Sequence, residues 1–390
     1  MLVLCASGCF SGASTLGSIC GDDLDCGADQ GCSNEVCGRC GDSVPQRGEL
    51  CLVPATELSS APVTSPGNVV VLDLENDGNS DLVVRGEDGV PQLWSGDGAG
   101  GWSVHGSLTV GGTVGALRLA ALDEDGPLDL VVVDEQGPAL HLGYGDGEGA
   151  WAFEPAVVLP EPPLDVAVAS APWDGPAWIA WVDAQGLQQA VVDAETRTLG
   201  SPVTVVPARS QWLTDPVPLD DDEALDLAVA DVDGRRIEPW FGDGAGGLSI
   251  GAPVMLEARP TEVIARDVDG DGDPDLLVPD EDGGVTVVIS DGEGTLFVSE
   301  RLTVPGVVRW ATVADLDRNT ERDVVILTDG DAPVWVFLAR GGQHRDGIAV
   351  PVEGEFGSLV ALDGDRDGLT ELLLGPSGEA ASFRIVEVEP

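Results

Sequence analysis

The sequence has very little positive charge. Its 390 residues include 18 basic residues, all of them arginine, against 69 acidic residues, so the formal net charge is 18 − 69 = −51. So large an acidic excess repels the phosphates of nucleic acids and of anionic lipids. We therefore expect no nucleic-acid partner. The charge favours cations, basic proteins or neutral glycans as partners, or it serves only to keep the chain soluble.

Residues that commonly carry enzyme chemistry are also scarce. The chain has three histidines and one tyrosine, and His105, His141 and His344 fall at unrelated positions within the repeats described below. The sequence pattern shows no unrepeated cluster of arginine, histidine, tyrosine or paired carboxylates. This scarcity predicts a protein that is not an enzyme.

Helical patterns and long apolar runs are missing as well. No stretch sustains the 3.6-residue period of an amphipathic helix, and 53 glycines and 27 prolines interrupt the chain densely. No apolar run reaches the roughly 18 residues that a membrane-spanning helix needs. We therefore expect an all-β protein with short strands, and no segment that crosses a membrane.

One acidic segment is typical of a calcium loop that leads into a β-strand. Asp267, Asp269, Asp271 and Asp275 occupy positions 1, 3, 5 and 9, Gly272 occupies position 6, and an apolar run follows. Carboxylates at alternate positions can converge on one hard cation, and the glycine permits a sharp turn. Without a cation, carboxylates this close would repel one another.

The same frame recurs seven times. Its first position falls at residues 73, 121, 170, 218, 267, 315 and 363, so successive copies begin 48 or 49 residues apart; we number them loops 1 to 7. Loops 1, 6 and 7 keep their ligands as well as loop 5 does, and the predicted calcium ligands there are Asp73, Glu75, Asp77 and Asp81; Asp315, Asp317, Asn319 and Asp323; and Asp363, Asp365, Asp367 and Glu371. Loops 2 and 4 are weaker, with possible ligands Asp123, Asp125 and Asp129, and Asp220, Asp222 and Asp226.

Each repeat also contains four short strand-forming runs separated by Gly/Asp turns, which is typical of a propeller blade. The acidic loops and turns such as Phe241-Gly242-Asp243-Gly244 make the chain resemble the FG-GAP/VCBS-type repeats of bacterial surface proteins, and more distantly the integrin alpha propeller. The resemblance implies a seven-bladed β-propeller of four-stranded antiparallel blades over residues 52–390. It further implies that each acidic loop joins the first two strands of a blade and holds Ca²⁺.

The last repeat stops after its third strand, near residues 383–388. We predict that residues near 52–63 supply the missing fourth strand and so close the ring, leaving no free sheet edge.

Loop 3 has lost its acidic pattern and is rich in tryptophan. Trp173, Trp178 and Trp181 lie where other repeats carry metal ligands. Apolar packing has replaced the metal here, or the indoles form an aromatic platform for a sugar or a protein.

The N-terminal 51 residues are rich in cysteine. Residues 1–9 resemble the end of a lipoprotein signal, with Cys9 as the acylated residue. Residues 10–51 form a separate segment in which six cysteines predict three disulfides: Cys20, Cys26, Cys32, Cys37, Cys40 and Cys51. Cys37 and Cys40 have the spacing of half a zinc site, but no second pair accompanies them.

These features predict an exported, monomeric, calcium-binding lipoprotein at the outer membrane or cell surface, or alternatively a periplasmic or secreted protein. It would touch the membrane only through its lipid, and it would act as a non-enzymatic binding or adhesion module for protein or glycan on a cell surface or matrix. The alternative is an exported glycan-acting enzyme, a lyase or hydrolase, on a calcium-stabilised propeller.

Overall fold

The computed structural model describes residues 69–386 with short gaps (86–88, 113, 124, 135–136, 171–174, 208–210, 223, 331, 351, 367 and 377–383), and five two-residue strands before them. Among those strands, Leu4–Cys5 pairs with Cys51–Leu52, and Cys32–Ser33 pairs with Val36–Cys37. The side chains of Cys9 and of the six cysteines between residues 20 and 51 lie outside the described residues. The lipidation and disulfide assignments therefore stay predictions.

Regular structure in the described part of the chain is entirely β, and apart from the two short strand pairs near the N-terminus it forms seven antiparallel sheets arranged as the blades of a ring. No helix among the described residues is long and apolar enough to cross a bilayer. The strands of blades 1, 5 and 6 are Val69–Leu72, Asp81–Arg85, Pro91–Gly96 and Trp102–Ser107; Ile264–Arg266, Asp275–Pro279, Gly284–Ser290 and Leu296–Thr303; and Val308–Ala314, Asp323–Thr328, Val334–Phe337 and Ile348–Val350.

In blades 2, 3 and 4 the outermost strand is broken into two short pieces that both pair with the third strand. Their strands are Val114–Ala120, Asp129–Asp134, Ala139–Gly145, Trp151–Phe153 and Val157–Val158; Asp165–Ala169, Trp178–Asp183, Gly186–Asp193, Thr198–Leu199 and Val203–Pro207; and Gln211–Leu213, Leu227–Asp231, Arg236–Gly242, Leu248–Ile250 and Val254–Met255.

Blade 7 joins the two ends of the chain. Its first three strands are Phe356–Leu362, Glu371–Pro376 and Arg384–Val386, and its outermost strand is Thr56–Glu57. The last strand is antiparallel, with Arg384 opposite Glu57 and Ile385 opposite Thr56. The predicted closure by residues near 52–63 is confirmed.

The core is distributed between the blades. Seven clusters of buried apolar side chains each join two adjacent blades, and together they include every blade-to-blade interface. The cluster between blades 1 and 7 contains Leu82, Trp94, Leu373 and Ile385, so the closing interface is packed like the others. The interface that closes the ring is therefore an apolar core like those between the other blades.

Candidate metal centres and the central cavity

Each acidic loop connects the first and second strands of its blade, so all seven loops lie at the same end of the ring. In five of them, three acidic side chains each place one carboxylate oxygen within 4.8 Å of the others. These clusters are Asp123, Asp125 and Asp129; Asp220, Asp222 and Asp226; Asp267, Asp269 and Asp271; Asp315, Asp317 and Asp323; and Asp363, Asp365 and Glu371. The repeated frame therefore does bring carboxylates to a common focus.

The acid at position 9 has a structural task that the sequence did not reveal. In loop 5, the Val268 amide donates to Asp275 Oδ2 (2.8 Å) and the Ser290 amide donates to Asp275 Oδ1 (2.8 Å). The first bond holds the start of the loop and the second holds the end of the third strand. The carboxylate thus clamps the loop onto its blade.

The same clamp recurs in loops 1, 2, 4 and 6, always through one loop amide and one third-strand amide. The carboxylates are Asp81, Asp129, Asp226 and Asp323, all of them buried. Burial raises the pKa of Asp226 and Asp275 to about 6, because desolvation disfavours the ionised form more than the amide bonds favour it. A bound cation would favour the ionised form.

Loop 5 has the most open arrangement. Asp269 and Asp271 are exposed and Asp267 is half-buried, and the three carboxylates converge on the solvent side of the clamp. Burial and the nearby carboxylates raise the pKa of Asp269. A divalent cation here would relieve this repulsion and accept hard oxygen ligands, which suits Ca²⁺.

Loops 6 and 7 give an independent indication that a cation fits. Asp315 Oδ1 and Asp363 Oδ1, both at position 1, are buried and have no hydrogen-bond donor among the described residues. A buried acceptor without a donor is unfavourable unless something positive contacts it. In loop 6, Arg340 Nη1 also forms an ion pair with the fully buried Asp317, and burial raises the pKa of Asp323 to about 8. Asn319 donates to Asp317 Oδ2 and to the Ala339 carbonyl.

Loop 1 does not converge as its sequence predicts. Glu75 turns away to His105 Nδ1 at 2.9 Å, and both carboxylate oxygens of Asp77 accept bonds from Asn79. Asp73 accepts the amides of residues 77 and 78 instead. The sequence ranks loop 1 above loops 2 and 4, whereas the structure gathers three carboxylates in loops 2 and 4 and not in loop 1. Asp367 of loop 7 lies outside the described residues.

The proposed aromatic platform in blade 3 is wrong for two of its three members. Trp178 is 5% exposed and packs in the core between blades 3 and 4, and Trp181 is fully buried between blades 2 and 3. Their large apolar surfaces are more stable inside these interfaces than in water. Trp173 lies outside the described residues. Because Trp178 stands at position 9, apolar packing has replaced the acid at that position of this blade.

The ring encloses a central cavity of about 770 Å³, lined by residues from all seven blades. Most of its wall is apolar, but an unrepeated charged cluster lies on one side, contrary to the sequence-based expectation that none exists. Arg118 Nε lies 3.1 Å from Asp215 Oδ1, and Arg118 Nη2 lies 3.7 Å from Asp165 Oδ1. Arg266 lines the same cavity, and enclosure by the surrounding blades lowers the pKa of its guanidinium.

Glu262 belongs to this cavity cluster electrostatically. Burial, and secondarily the negative charge of Asp165, raise the pKa of Glu262 to about 8. Burial also raises the pKa of Asp165, although Arg118 and the amides of Leu213 and Val166 oppose this effect. The cluster therefore combines two guanidiniums with three carboxyl groups, and burial raises the pKa of two of them, Asp165 and Glu262. The sequence does contain a signal for this cluster. Arg118 and Arg266 are single charged residues in inner strands that are otherwise apolar.

The model of the FG-GAP-like repeat family matches residues 267–326, which run from the first acid of loop 5 into the second strand of blade 6. The chain is a seven-bladed β-propeller, and one stretch of it, in blades 5 and 6, matches the FG-GAP-like repeat. No curated protein matches its sequence.

Among solved structures, this propeller is similar to BBS1N in a complex with ARL6DN soaked with lead, at 16% identity and a TM-score of 0.59, over 87% of this chain and 98% of that one. It is also similar to streptogramin B lyase, at 13% identity and a TM-score of 0.55, over 86% of this chain and 97% of that one. At such identities the likeness shows the fold alone.

Proposed function

We propose that this protein is a calcium-binding propeller that acts as a non-enzymatic binding or adhesion module for a protein or glycan. The observation that supports it is the convergence of carboxylates in repeated loops at one end of the ring, with position-1 oxygens that lack donors in loops 6 and 7. In this proposal Ca²⁺ stiffens the loops and performs no chemistry, because the ligands are side chains of the repeat itself. Affinity in the range of extracellular calcium modules, about 10⁻⁴–10⁻³ M, is expected.

Equilibrium dialysis against Ca²⁺ tests the metal assignment. The double variant Asp269→Asn/Asp271→Asn should lose one ion per chain, because it removes two exposed ligands of loop 5. Asp243→Asn is the matched control, since Asp243 lies on the same end of the ring in a turn where it accepts amides of residues 245 and 247. A wild-type chain that binds no calcium at millimolar concentration would contradict the proposal.

The proposed setting is an exported lipoprotein at the outer membrane or cell surface, anchored at Cys9 and monomeric. The acidic surface and the cysteine-rich segment support export. Mass spectrometry of the mature N-terminus, after expression with the native upstream sequence, distinguishes a diacylated Cys9 from an unprocessed chain. Binding of glycans or envelope proteins without product release is the expected behaviour of the purified protein.

A glycan-acting enzyme remains the second candidate, and the cavity cluster favours it. Carboxyl groups with different proton affinities beside guanidiniums can protonate one oxygen and stabilise another. Of the two similar structures, one is a protein complex and the other is a lyase. Product release from a polysaccharide panel that Glu262→Gln abolishes would support the enzyme and contradict the non-enzymatic proposal.

A further inference from the structure

Loop 2 has an internal cation. Its position 1 is Ala121, so the loop lacks one carboxylate, yet Asp123, Asp125 and Asp129 still converge. Asp123 is 7% exposed and Asp129 is fully buried, so their negative charges are poorly hydrated. Such a cluster needs a positive charge nearby.

Arg197 of the adjacent blade supplies that charge. Its Nη2 lies 3.0 Å from Asp123 Oδ2 and 3.4 Å from Asp125 Oδ2. The guanidinium carbon lies 4.3 Å from the centroid of the Tyr144 ring, and this ring is itself buried in the core between blades 2 and 3. The guanidinium is thus held between two carboxylates and an aromatic face.

The turn that carries Arg197 is shaped for this contact. Arg197 follows the third strand of blade 3 and has a φ of +54°, in the left-handed region that residues other than glycine seldom adopt. The Asp193 carboxylate accepts the amide of Thr196 and helps to fix the turn. An unfavourable backbone conformation persists where surrounding contacts compensate for it, and the ion pairs of loop 2 are such contacts.

Loop 5 is the internal comparison. It keeps all its acids, and none of the arginine contacts described for this chain reaches Asp267, Asp269 or Asp271. This contrast is not a general rule, because loop 6 keeps its ligands and still pairs Asp317 with Arg340, and loop 4 lacks an acid at position 1 and still gathers three carboxylates. In loop 2 one guanidinium contacts two of the carboxylates and the face of the Tyr144 ring.

We propose that Arg197 is a built-in replacement for calcium, which makes loop 2 a metal-free joint between blades 2 and 3 that is held by an arginine ion pair. The proposal rests on the proposed calcium function of the other loops, because it describes which loop of the series has exchanged the ion for a side chain. In this proposal a residue of blade 3 decides that loop 2 of blade 2 binds no metal ion.

Thermal unfolding in excess EDTA tests the joint without any calcium. Arg197→Gln should lower the melting temperature by roughly 5 °C, because it leaves a buried carboxylate unpaired. The control Arg309→Gln, which removes an exposed pair with Asp329 at 3.1 Å, should change it much less. Adding Asp123→Asn should lower the melting temperature of the wild type but raise that of Arg197→Gln. Additive effects of the two substitutions would overturn the proposal.

Calcium stoichiometry provides the second readout. Ala121→Asp/Arg197→Gln should bind one more ion than the wild type, whereas Ala121→Asp alone should bind no additional ion, because the guanidinium still fills the focus. Loss of one bound ion in Asp123→Asn would show that loop 2 already holds calcium and would overturn the proposal, even if Arg197→Gln failed to fold. Failure of the proposed calcium function would appear differently, as no ion bound to the wild type at all, and the EDTA measurement would still decide the role of Arg197.

Discussion

Blades 3 and 5 share the arrangement of their first three strands and have opposite chemistry at the same place in the frame. At position 9, blade 5 has Asp275, a fully buried carboxylate that accepts three backbone amides, and blade 3 has Trp178, an indole in an apolar core. Both side chains are buried and both hold the second strand of their blade in the ring. The comparison shows that the propeller requires a filled position there and accepts either a polar clamp or an apolar one.

The same two blades also approach each other through the central cavity. Five residues before position 1, blade 3 has Asp165 and blade 5 has Glu262, and the charge of Asp165 contributes to the raised pKa of Glu262. Charges at this frame position are unusual, because the corresponding residues of blades 4, 6 and 7 are Leu213, Trp310 and Ser358. The repeats therefore differ from one another at the central cavity as well as in their acidic loops.

The apolar clamp should be the more costly one to remove. Trp178→Ala leaves a large cavity between blades 3 and 4, and we expect it to lower the free energy of unfolding by about 3–5 kcal/mol in urea denaturation. Trp212→Ala, at a half-buried indole of blade 4, is a size-matched control and should cost less. Equal losses in the two variants would contradict the role assigned to Trp178.

The polar clamp should be next in size. Asp275→Ala leaves the amides of Val268 and Ser290 without acceptors, with an expected loss of about 2–4 kcal/mol in urea with EDTA present. Asp271→Ala changes an exposed acid of the same loop and should lose much less under those conditions. If both variants lost the same amount, position 9 would have no clamping role.

The response to calcium should also differ between variants in blade 5 and variants in blade 3. At a free concentration about ten times the dissociation constant, each occupied loop should add about 1.4 kcal/mol of stability. Asp269→Asn/Asp271→Asn should reduce the calcium-induced rise in melting temperature, whereas Trp178→Ala should lower the melting temperature with and without calcium by the same amount. If the loop 5 variant left the calcium-induced rise in melting temperature unchanged, loop 5 would not be a calcium-binding loop.

The smallest expected effect is that of pH on the cavity cluster. The folded-state pKa of Glu262 is about 8 against 4.5 for the ordinary group, so between these values the folded chain keeps a proton that the unfolded chain has released. Stability from this group therefore falls as pH rises through that window. Glu262→Gln should become steadily more stable relative to the wild type as pH rises from 5 to 8, and the exposed Glu281→Gln should not.

The sequence predicts the number of blades, the position of every acidic loop and the closure by residues near 52–63, because these follow from a repeat that is local and regular; the structure places the closing strand at residues 56–57. It does not distinguish a clamping Asp275 from a ligand, since the amides that bond it lie six and seven residues before it and fifteen after it. Arg197 and Asp123 are 74 residues apart, and no pattern relates them until the blades are packed side by side. The cavity cluster needs four blades at once and is likewise a property of the ring.

The short outer strand of blade 7 also determines how force enters the molecule. Thr56–Glu57 is two residues long and pairs with the last described strand of the chain, a pairing that we call the clasp. Tension on the N-terminal segment therefore acts first on the hydrogen bonds of the clasp. Six blades are continuous and are not loaded directly. If the clasp were peeled away, blade 7 would lose its outer edge strand while the apolar interface between blades 1 and 7 still held the ring shut. Mechanical failure would therefore begin as a local unzipping, with the six other sheets and their loops intact.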